Sequence, residues 1–280
     1  MSVRSEGTVG ASNVHLPYVD SAIEHMEEGG SSAFWHHLHW GLYADPATAD
    51  DTPEGYVTAA EALTEHIVTA AGVADGSRIL DVGCGFGGTI GHIHRRNQGC
   101  RVAGLNIDVR QLAWARRLLA PTATALVAAD GCALPVGDRS LDHVLAVECV
   151  FHFPSRKAFF REAARVLAPG GTLALSDFLI APGGMATFLA KAEELGPGDW
   201  YGHSAPPLTS AGYERLARGA GFDVVRDDDV TARTLPTYPA RRRLYREAGA
   251  SEGVATLDRV EKLATEGAWQ YHVLAFRKRA

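Results

Sequence analysis

The fold of this chain is decided by the stretch Ile79-Leu80-Asp81-Val82-Gly83-Cys84-Gly85-Phe86-Gly87-Gly88-Thr89. It begins with the apolar residues of a short strand, continues as a glycine-rich turn and then opens a helix. Glycine lets the backbone adopt a positive φ and lets a ligand approach the main chain closely. The first turn of the helix leaves free N–H groups that favour an anionic ligand. The stretch therefore predicts a binding site for a nucleotide-like molecule.

Two known patterns fit these glycines. Gly83-x-Gly85-x-x-Gly88 matches the dinucleotide fingerprint, in which a pyrophosphate rests on the helix N-terminus. Asp81 followed by Gly83-x-Gly85-x-Gly87 resembles instead the first motif of class I S-adenosylmethionine-dependent methyltransferases. In that family the loop wraps the methionine part of the cofactor, and the acidic residue helps bind its ammonium group. The choice between the two depends on the rest of the chain.

Composition and charge exclude several classes of protein. The 280 residues are 46% apolar, which is enough for the core of one large domain or of a domain with an appendage. A formal net charge of -6 disfavours nucleic acid as a partner. The first residues lack the apolar core of a signal peptide, and no apolar run is long enough to span a membrane. The four cysteines are scattered, which is typical of free thiols in a reducing compartment. We therefore expect a cytoplasmic protein.

Hydrophobic patterning divides the chain into two parts. Residues 1–71 are expected to be a disordered tail followed by a helical lid, with helices near 18–28 and 55–71. Residues 72–280 alternate apolar strands with helices, which predicts an α/β fold with a doubly wound, mostly parallel sheet. Two insertions, 181–209 and 231–268, are expected on the substrate side. The predicted strands are 78–81, 101–106, 125–129, 143–148, 171–177, 223–229 and 271–276.

Three further motifs decide the cofactor. The second strand ends at Asn106, where either cofactor would contact a ribose, although an acidic residue is usual there. Asp130-Gly131-Cys132-Ala133-Leu134-Pro135 resembles the Asp-Ala-x-x-Leu-Pro pattern of the methyltransferases, and Leu167-Ala168-Pro169-Gly170-Gly171 resembles their turn into the fifth strand. With the glycine loop, four motifs follow in the family's order. The chain is thus identified as resembling the small-molecule, natural-product group of these enzymes, with a Rossmann-like seven-stranded sheet whose seventh strand is antiparallel.

The resemblance implies how S-adenosyl-L-methionine would be bound. The glycine loop and Asp81 would hold its methionine end, Asn106 and Gln111 its ribose, and Asp130 with the following N–H its adenine. Glu148, after the fourth strand, would contact the methionine end or a neighbouring loop. The expected cofactor-binding residues are Asp81, Gly83, Gly85, Gly87, Asn106, Gln111, Asp130, Gly131 and Glu148.

Two residues are candidates for catalysis. His152 lies just beyond the fourth strand, and an imidazole with a pKa of about 6.5 suits removal of a hydroxyl proton. Asp177 ends the fifth strand, and in related O-methyltransferases a His and an Asp at these positions act near the acceptor hydroxyl. A cap or a pocket-wall role is the alternative for each.

A segment rich in aromatic and imidazole rings precedes the core. The spacing of His36, His37 and His39 cannot put three imidazoles on one helical face, so no metal is expected. We expect the rings to form a lid over the cofactor and acceptor, with core packing as the alternative. Arg241-Arg242-Arg243 is interpreted as a solvated helix face rather than an anion site. The expected lid residues are Tyr18, Phe34, Trp35, His39, Trp40, Tyr43 and Trp200.

The leading hypothesis is O-methylation of a small, partly apolar metabolite in natural-product biosynthesis. C-methylation of a prenyl or polyketide carbon is the close alternative. An NAD(P)-dependent oxidoreductase and a non-catalytic, cofactor-binding subunit are the alternatives from other classes. A homo-oligomer formed by exchange of the N-terminal helices is also open.

Overall fold

The computed structural model describes residues 16–29, 35–120, 122, 124–195, 200–202 and 205–280, with the side chains of 192–195 left aside. The disorder expected for residues 1–15 lies outside this part of the chain. Within it, seven strands form one sheet in the order β3-β2-β1-β4-β5-β7-β6. The strands are β1 (Arg78–Val82), β2 (Arg101–Asn106), β3 (Ala125–Ala128), β4 (Leu141–Val147), β5 (Leu167–Ile180), β6 (Phe222–Asp229) and β7 (Trp269–Lys278).

The sheet is mostly parallel, as the sequence predicts. Strands β1 to β5 pair in parallel, and β7 runs antiparallel to both of its neighbours, β5 and β6. The order reverses between β1 and β4, because the chain builds outward through β2 and β3 and then returns. In open α/β sheets a ligand binds at such a reversal, beyond the carboxyl ends of the strands. The predicted fold class is confirmed.

Helices cover both faces of the sheet and form both insertions. The first insertion contains α6, and the second contains α8, α9 and α10. The helices are α1 (Pro17–Glu27), α2 (Pro53–Ala71), α3 (Gly88–Arg96), α4 (Val109–Leu118), α5 (Arg156–Val166), α6 (Met185–Leu195), α7 (Ser210–Gly219), α8 (Thr231–Thr234), α9 (Thr237–Glu247) and α10 (Ser251–Thr265).

Alternate residues of the central strands feed two buried clusters. Ile79 of β1 and Leu145 of β4 face one cluster, whereas Leu80 and Val144 face the other. This is the period of two that side chains follow along a strand. The first cluster also contains apolar residues of α1 and α2, so these helices share a core with the sheet. The second cluster also contains apolar residues of α5 and α7.

Helix α1 buries its apolar face inside its own chain. Val19, Ala22, Ile23 and Met26 are all buried, and they repeat at the spacing of three or four residues that marks one helical face. The backbone N–H of Tyr18 donates to the carbonyl of Trp200 at 3.2 Å. The helix is thereby fixed to the first insertion, in which Trp200 lies. No helix among the described residues is both long and apolar enough to cross a membrane.

Candidate active site

A cavity of about 260 Å³ lies beyond the carboxyl ends of β1, β2 and β4. Its floor is the turn between β1 and α3, where Gly87 caps the helix with a φ of +89°. Only glycine adopts this conformation without strain. Gly88 lies tightly against the segment before α2, since a Cβ there would come within 2.3 Å of the His36 carbonyl oxygen. Glycine thus permits both the turn and the close contact.

Eight of the nine residues predicted to bind the cofactor line this one cavity. The exception is Gly87, which faces Leu119 of the helix-end turn after α4 and supports the loop from behind. Asn106 and Gln111 are joined by a hydrogen bond of 3.3 Å between the amide nitrogen of one and the amide oxygen of the other. The eight are Asp81, Gly83, Gly85, Asn106, Gln111, Asp130, Gly131 and Glu148.

Asp81 is buried at the end of β1 with one oxygen unsatisfied. Its Oδ2 has no hydrogen-bond partner among the residues that the structure describes, and burial raises the pKa of the carboxyl to about 8. A buried polar atom without a partner is costly unless a ligand supplies one. An ammonium group would supply both the donor and the charge. The residues present therefore fit the methionine end of S-adenosylmethionine.

Glu148 lies beside Asp81 at the end of β4. Its Oε2 accepts hydrogen bonds from the backbone N–H of Trp40 at 2.9 Å and from the hydroxyl of Tyr271 at 2.6 Å. Burial raises the pKa of the carboxyl to about 7, although both donors and the Arg241 guanidinium oppose this. The site thus holds two carboxyls, Asp81 and Glu148, that each gain or lose a proton near neutral pH.

His152 and Tyr18 line the same cavity. The Tyr18 hydroxyl lies 3.4 Å from His152 Nε2, and the two rings are nearly parallel with centroids 6.1 Å apart. Burial raises the pKa of Tyr18 well above its usual value, so the phenol is neutral. The side chain of Tyr18 also contacts the ring of Tyr201. The histidine therefore already meets a neutral hydroxyl group inside the cavity.

Asp177, the second residue predicted for catalysis, does not line the cavity. Asp177 is a buried residue of β5, and its side chain lies on the face of the strand away from the cavity. There it accepts a hydrogen bond from Tyr213 and forms an ion pair of 3.4 Å with Arg156. The sheet alternation explains this position, since neighbouring residues of a strand face opposite sides. The structure gives it contacts that hold α5 and α7 against the sheet.

The predicted lid residues are split between the cavity and the core. Tyr18 and His39 line the cavity. Trp40 is buried between Phe178 and Tyr238, and Trp200 packs on Tyr245. Trp35 and Tyr43 are likewise buried and do not line the cavity, and Phe34 lies outside the described residues. Large rings next to a site are equally good core residues, and their sequence does not tell which role each takes.

A strap of residues 36–39 forms a further wall of the cavity, although sequence analysis assigned only His39 of this segment to the lid. His39 Nδ1 lies 2.8 Å from the carbonyl of Trp40, so this nitrogen carries the proton, and Nε2 accepts from Thr64 and His37. Burial lowers the pKa of His39 to about 4 and that of His37 well below its usual range. Both imidazoles are therefore neutral. Within the described part of the chain, no three His, Cys, Asp or Glu residues are grouped so that they could hold a metal ion.

The interpretation of Arg241 as a solvated residue is wrong. It is 1% exposed, donates to the Leu38 carbonyl and to the hydroxyls of Tyr56 and Tyr245, and lies over the ring of Trp40. Arg243 is exposed, as expected, and pairs with Glu247, whereas Arg242 is half-buried and pairs with Asp258. Arg241 therefore fixes the strap of residues 36–39 to α9.

This sheet order, with a glycine loop after β1 and a cavity at the reversal, defines a cofactor-binding α/β protein. Residues 80–175 match a family model described as a methyltransferase domain. The methyltransferase GfsG of Streptomyces halstedii is 32% identical over 228 residues, covering 80% of this chain and 77% of that protein. The 27-O-demethylrifamycin SV methyltransferase of Amycolatopsis mediterranei is 30% identical, covering 87% and 89%. A solved geranyl diphosphate C-methyltransferase from Streptomyces coelicolor has the same fold, with a TM-score of 0.70 at 18% identity over 96% and 100%.

The chain belongs to the class I S-adenosylmethionine-dependent methyltransferases. It is an enzyme of their small-molecule, natural-product group, and its cofactor is S-adenosyl-L-methionine. Family membership decides against the NAD(P)-dependent oxidoreductase that the glycine loop alone left open.

Cofactor affinity is expected to fall as the pH decreases through 8. A bound ammonium group favours the ionised form of Asp81, so below a pKa of about 8 binding must first remove a proton. Titration of the protein with S-adenosylhomocysteine between pH 6 and 8.5 should show affinity decreasing about tenfold per pH unit below 8. Asp81→Asn should bind weakly and without this slope. A slope that persists in that variant would assign it to another group.

Proposed function

We propose that this enzyme transfers a methyl group to a hydroxyl oxygen of a small, partly apolar metabolite in natural-product biosynthesis. The observation that carries the proposal is the contact of His152 Nε2 with the Tyr18 hydroxyl inside the cofactor cavity. An acceptor hydroxyl that replaced the phenol would meet the same nitrogen. The name of the Amycolatopsis relative, 27-O-demethylrifamycin SV methyltransferase, supports the same chemistry.

The chain's residues divide the work between holding the donor and orienting the acceptor. When bound, S-adenosylmethionine supplies an electrophilic methyl group on a sulfonium. Asp81, the glycine loop, Asn106 and Asp130 hold the donor, whereas Phe151, His152 and Tyr201 form the apolar and polar wall facing the acceptor. Alignment of the reacting atoms contributes about 7–11 kcal/mol in favourable cases, more than a single base does. Positioning is therefore the main contribution of the site.

In this proposal His152 removes the hydroxyl proton, and Asp177 has a supporting role. The ion pair with Arg156 and the hydrogen bond from Tyr213 hold the Asp177 side chain on the face of β5 away from the cavity. It can stabilise the wall that carries the acceptor side without contacting the acceptor. The lid is proposed to consist of α1 and the strap of residues 36–39, because Tyr18 and His39 line the cavity.

Labelled methyl transfer tests the proposal. Protein and methyl-¹³C-labelled S-adenosylmethionine are incubated with phenols, quinols and hydroxylated polyketides, each with its O-methylated counterpart as the matched control. NMR of the products separates O–CH₃ from C–CH₃ carbons. Label on oxygen, with no transfer to the blocked counterparts, is the expected result. Label on carbon would establish C-methylation instead, and absence of transfer across the panel would contradict the proposed acceptor class.

The cellular setting is part of the proposal. All four cysteines are free, which supports a reducing compartment such as the cytoplasm. The net charge of -6 supports a small-molecule acceptor rather than a nucleic acid. Exchange of N-terminal helices between two copies stays a prediction, although α1 already buries its apolar face within its own chain. Light scattering of the purified protein tests it.

A further inference from the structure

Within the described part of the chain, hydrogen bonds hold Glu148 by only one of its two carboxylate oxygens. Oε2 accepts both donors, the Trp40 N–H and the Tyr271 hydroxyl. Tyr271 is in turn 3.0 Å from the hydroxyl of Ser176, which is buried. Oε1 has no such anchor, and Glu148 lines the cofactor cavity. The carboxyl is thus fixed in orientation, with one oxygen left to accept a proton or a donor from the cavity.

The backbone at Glu148 indicates that the carboxyl is needed at this position. Its φ is +49°, a left-handed conformation that glycine or asparagine adopts more readily. Such a conformation costs free energy, and it persists where the surrounding structure requires it, often at a functional site. Here the backbone N–H of Glu148 donates to the Ser176 carbonyl at 3.2 Å, which holds the residue against β5.

Two charged groups on neighbouring elements shift the pKa of the Glu148 carboxyl. Asp177 of β5 raises the pKa of Glu148 and Arg241 of α9 lowers it, while burial, the largest effect, brings it to about 7. Asp81 and His152 line the same cavity. The remaining titratable groups that feel the charge of Glu148 are neutral at pH 7: the thiol of Cys149 and the phenols of Tyr18, Tyr56, Tyr201, Tyr238 and Tyr271.

We propose that Glu148 is the group whose protonation follows the charge of the methyl donor: it is ionised while the cationic donor is bound and protonated after transfer. A unit charge in a small buried cavity acts strongly on a carboxylate that lines it, because little water screens the two. Glu148 then differs from Asp81, whose ligand, the ammonium group, is present both before and after transfer. The inference rests on the proposed function and extends it by assigning the final position of the proton.

The proton balance is complete without another reactant. Transfer breaks the S–CH₃ bond, whose electron pair stays on sulfur, and forms the O–CH₃ bond from a lone pair of the acceptor oxygen. The O–H bond breaks, its electron pair stays on oxygen, and the proton passes to His152. Since the positive charge of the donor has disappeared, the Glu148 carboxylate becomes the better proton acceptor, and it takes the proton from His152. The imidazole is neutral again for the next cycle.

Proton release on ligand binding tests the inference without an acceptor. Isothermal titration calorimetry in buffers of different ionisation enthalpy counts the protons released when S-adenosylmethionine or S-adenosylhomocysteine binds. A carboxyl with a pKa of about 7 is half ionised at pH 7. The cationic ligand should therefore release roughly half a proton more than the neutral thioether. Below pH 7, the affinity for S-adenosylmethionine relative to S-adenosylhomocysteine should decrease up to about tenfold per pH unit.

Variants assign the difference to Glu148. Glu148→Gln keeps the hydrogen-bond acceptor and should abolish both the extra proton and the pH dependence of the affinity ratio. Tyr271→Phe removes a donor to the ionised form and should move the pH dependence to higher pH. Asp258→Asn, on the exposed face of α10, is the matched control and should behave as the unchanged protein.

Two outcomes would overturn the inference and can be told apart from failure of the proposed function. Equal proton release for the two ligands in the unchanged protein excludes a role for Glu148 in following the donor charge. A difference that survives in Glu148→Gln assigns it to another group. Absence of binding by both ligands would instead contradict the cofactor site itself. The unchanged protein and Tyr271→Phe decide the matter even where Glu148→Gln does not fold.

Discussion

Replacing His152 with alanine is expected to lower the rate of methyl transfer about 10²–10⁴-fold, the range that a positioned base contributes. Affinity for S-adenosylhomocysteine should change little, since the residues that hold the glycine loop and Asp81 stay in place. The measurement is kcat with a confirmed acceptor, alongside the dissociation constant from calorimetry. The alanine also removes the partner of the Tyr18 hydroxyl, so binding of the acceptor is expected to weaken as well.

A matched histidine separates the loss of a base from a general effect. His94→Ala removes an imidazole on α3 that contacts Thr124 outside the cavity, and it should leave turnover within a factor of about two. The pH profile of kcat gives a second readout, because the His152 variant should lose the rise that deprotonation of the base produces. Unchanged turnover in His152→Ala would end its role in catalysis and leave acceptor alignment as the main contribution of the cavity.

Replacing Gly88 with alanine is expected to destabilise the protein and weaken cofactor binding together. The new Cβ would lie 2.3 Å from the His36 carbonyl oxygen and 2.6 Å from His37 Nδ1, so the strap of residues 36–39 must move away. Overpacking of this kind costs about 1–3 kcal/mol. Because His36 and His37 line the cavity, their displacement should also raise the dissociation constant of S-adenosylhomocysteine. Chemical unfolding and calorimetry measure the two effects.

The control is a glycine with open space around it. Gly219 is the last residue of α7, and a Cβ added there meets nothing within 4 Å. Gly219→Ala should be neutral or stabilise the helix by up to about 1 kcal/mol, the usual difference between the two residues. If Gly88→Ala behaves in the same way, the strap is not held in close contact with the start of α3.

The alternation of apolar strands with helices was sufficient to predict the sheet. The parallel strands carry short apolar runs, such as Ile79-Leu80 in β1 and Val144–Val147 in β4, bounded by turn residues, which is a strong local signal. The errors are at boundaries: β5 begins at Leu167 rather than at residue 171, because Leu167 already pairs with Leu141 ahead of a register shift, and it ends at Ile180 rather than at residue 177. Helix α9 was expected only as the solvated helix face that carries Arg241-Arg242-Arg243; its buried face was not predicted, since its charged residues hide the apolar period. Tertiary contacts, not local propensity, determine the bounds of β5 and the buried face of α9.

The cofactor half of the site could be predicted, whereas much of the acceptor half could not. Asp81, Asn106 and Asp130 end consecutive strands, and parallel strands bring such ends together. Asp177 was predicted to end β5 but lies three residues inside it, and the pleat turns its side chain toward Arg156. Trp40 and Arg241 carry no sequence signal that tells a cavity wall from a core. Their positions depend on how two distant segments pack, which spacing along the chain does not record.

Strand β7 lies inside the sheet, between β5 and β6, although the chain reaches it after the other six. On a ribosome, β5 and β6 therefore stay without their shared partner until residues 269–278 have been synthesised. The same strand brings Tyr271 to Glu148, so the catalytic cavity is completed at the same moment as the sheet. Nascent chains halted before Trp269 should accordingly expose unpaired strand edges to chaperones, and acquire protease resistance and cofactor binding together once that strand emerges.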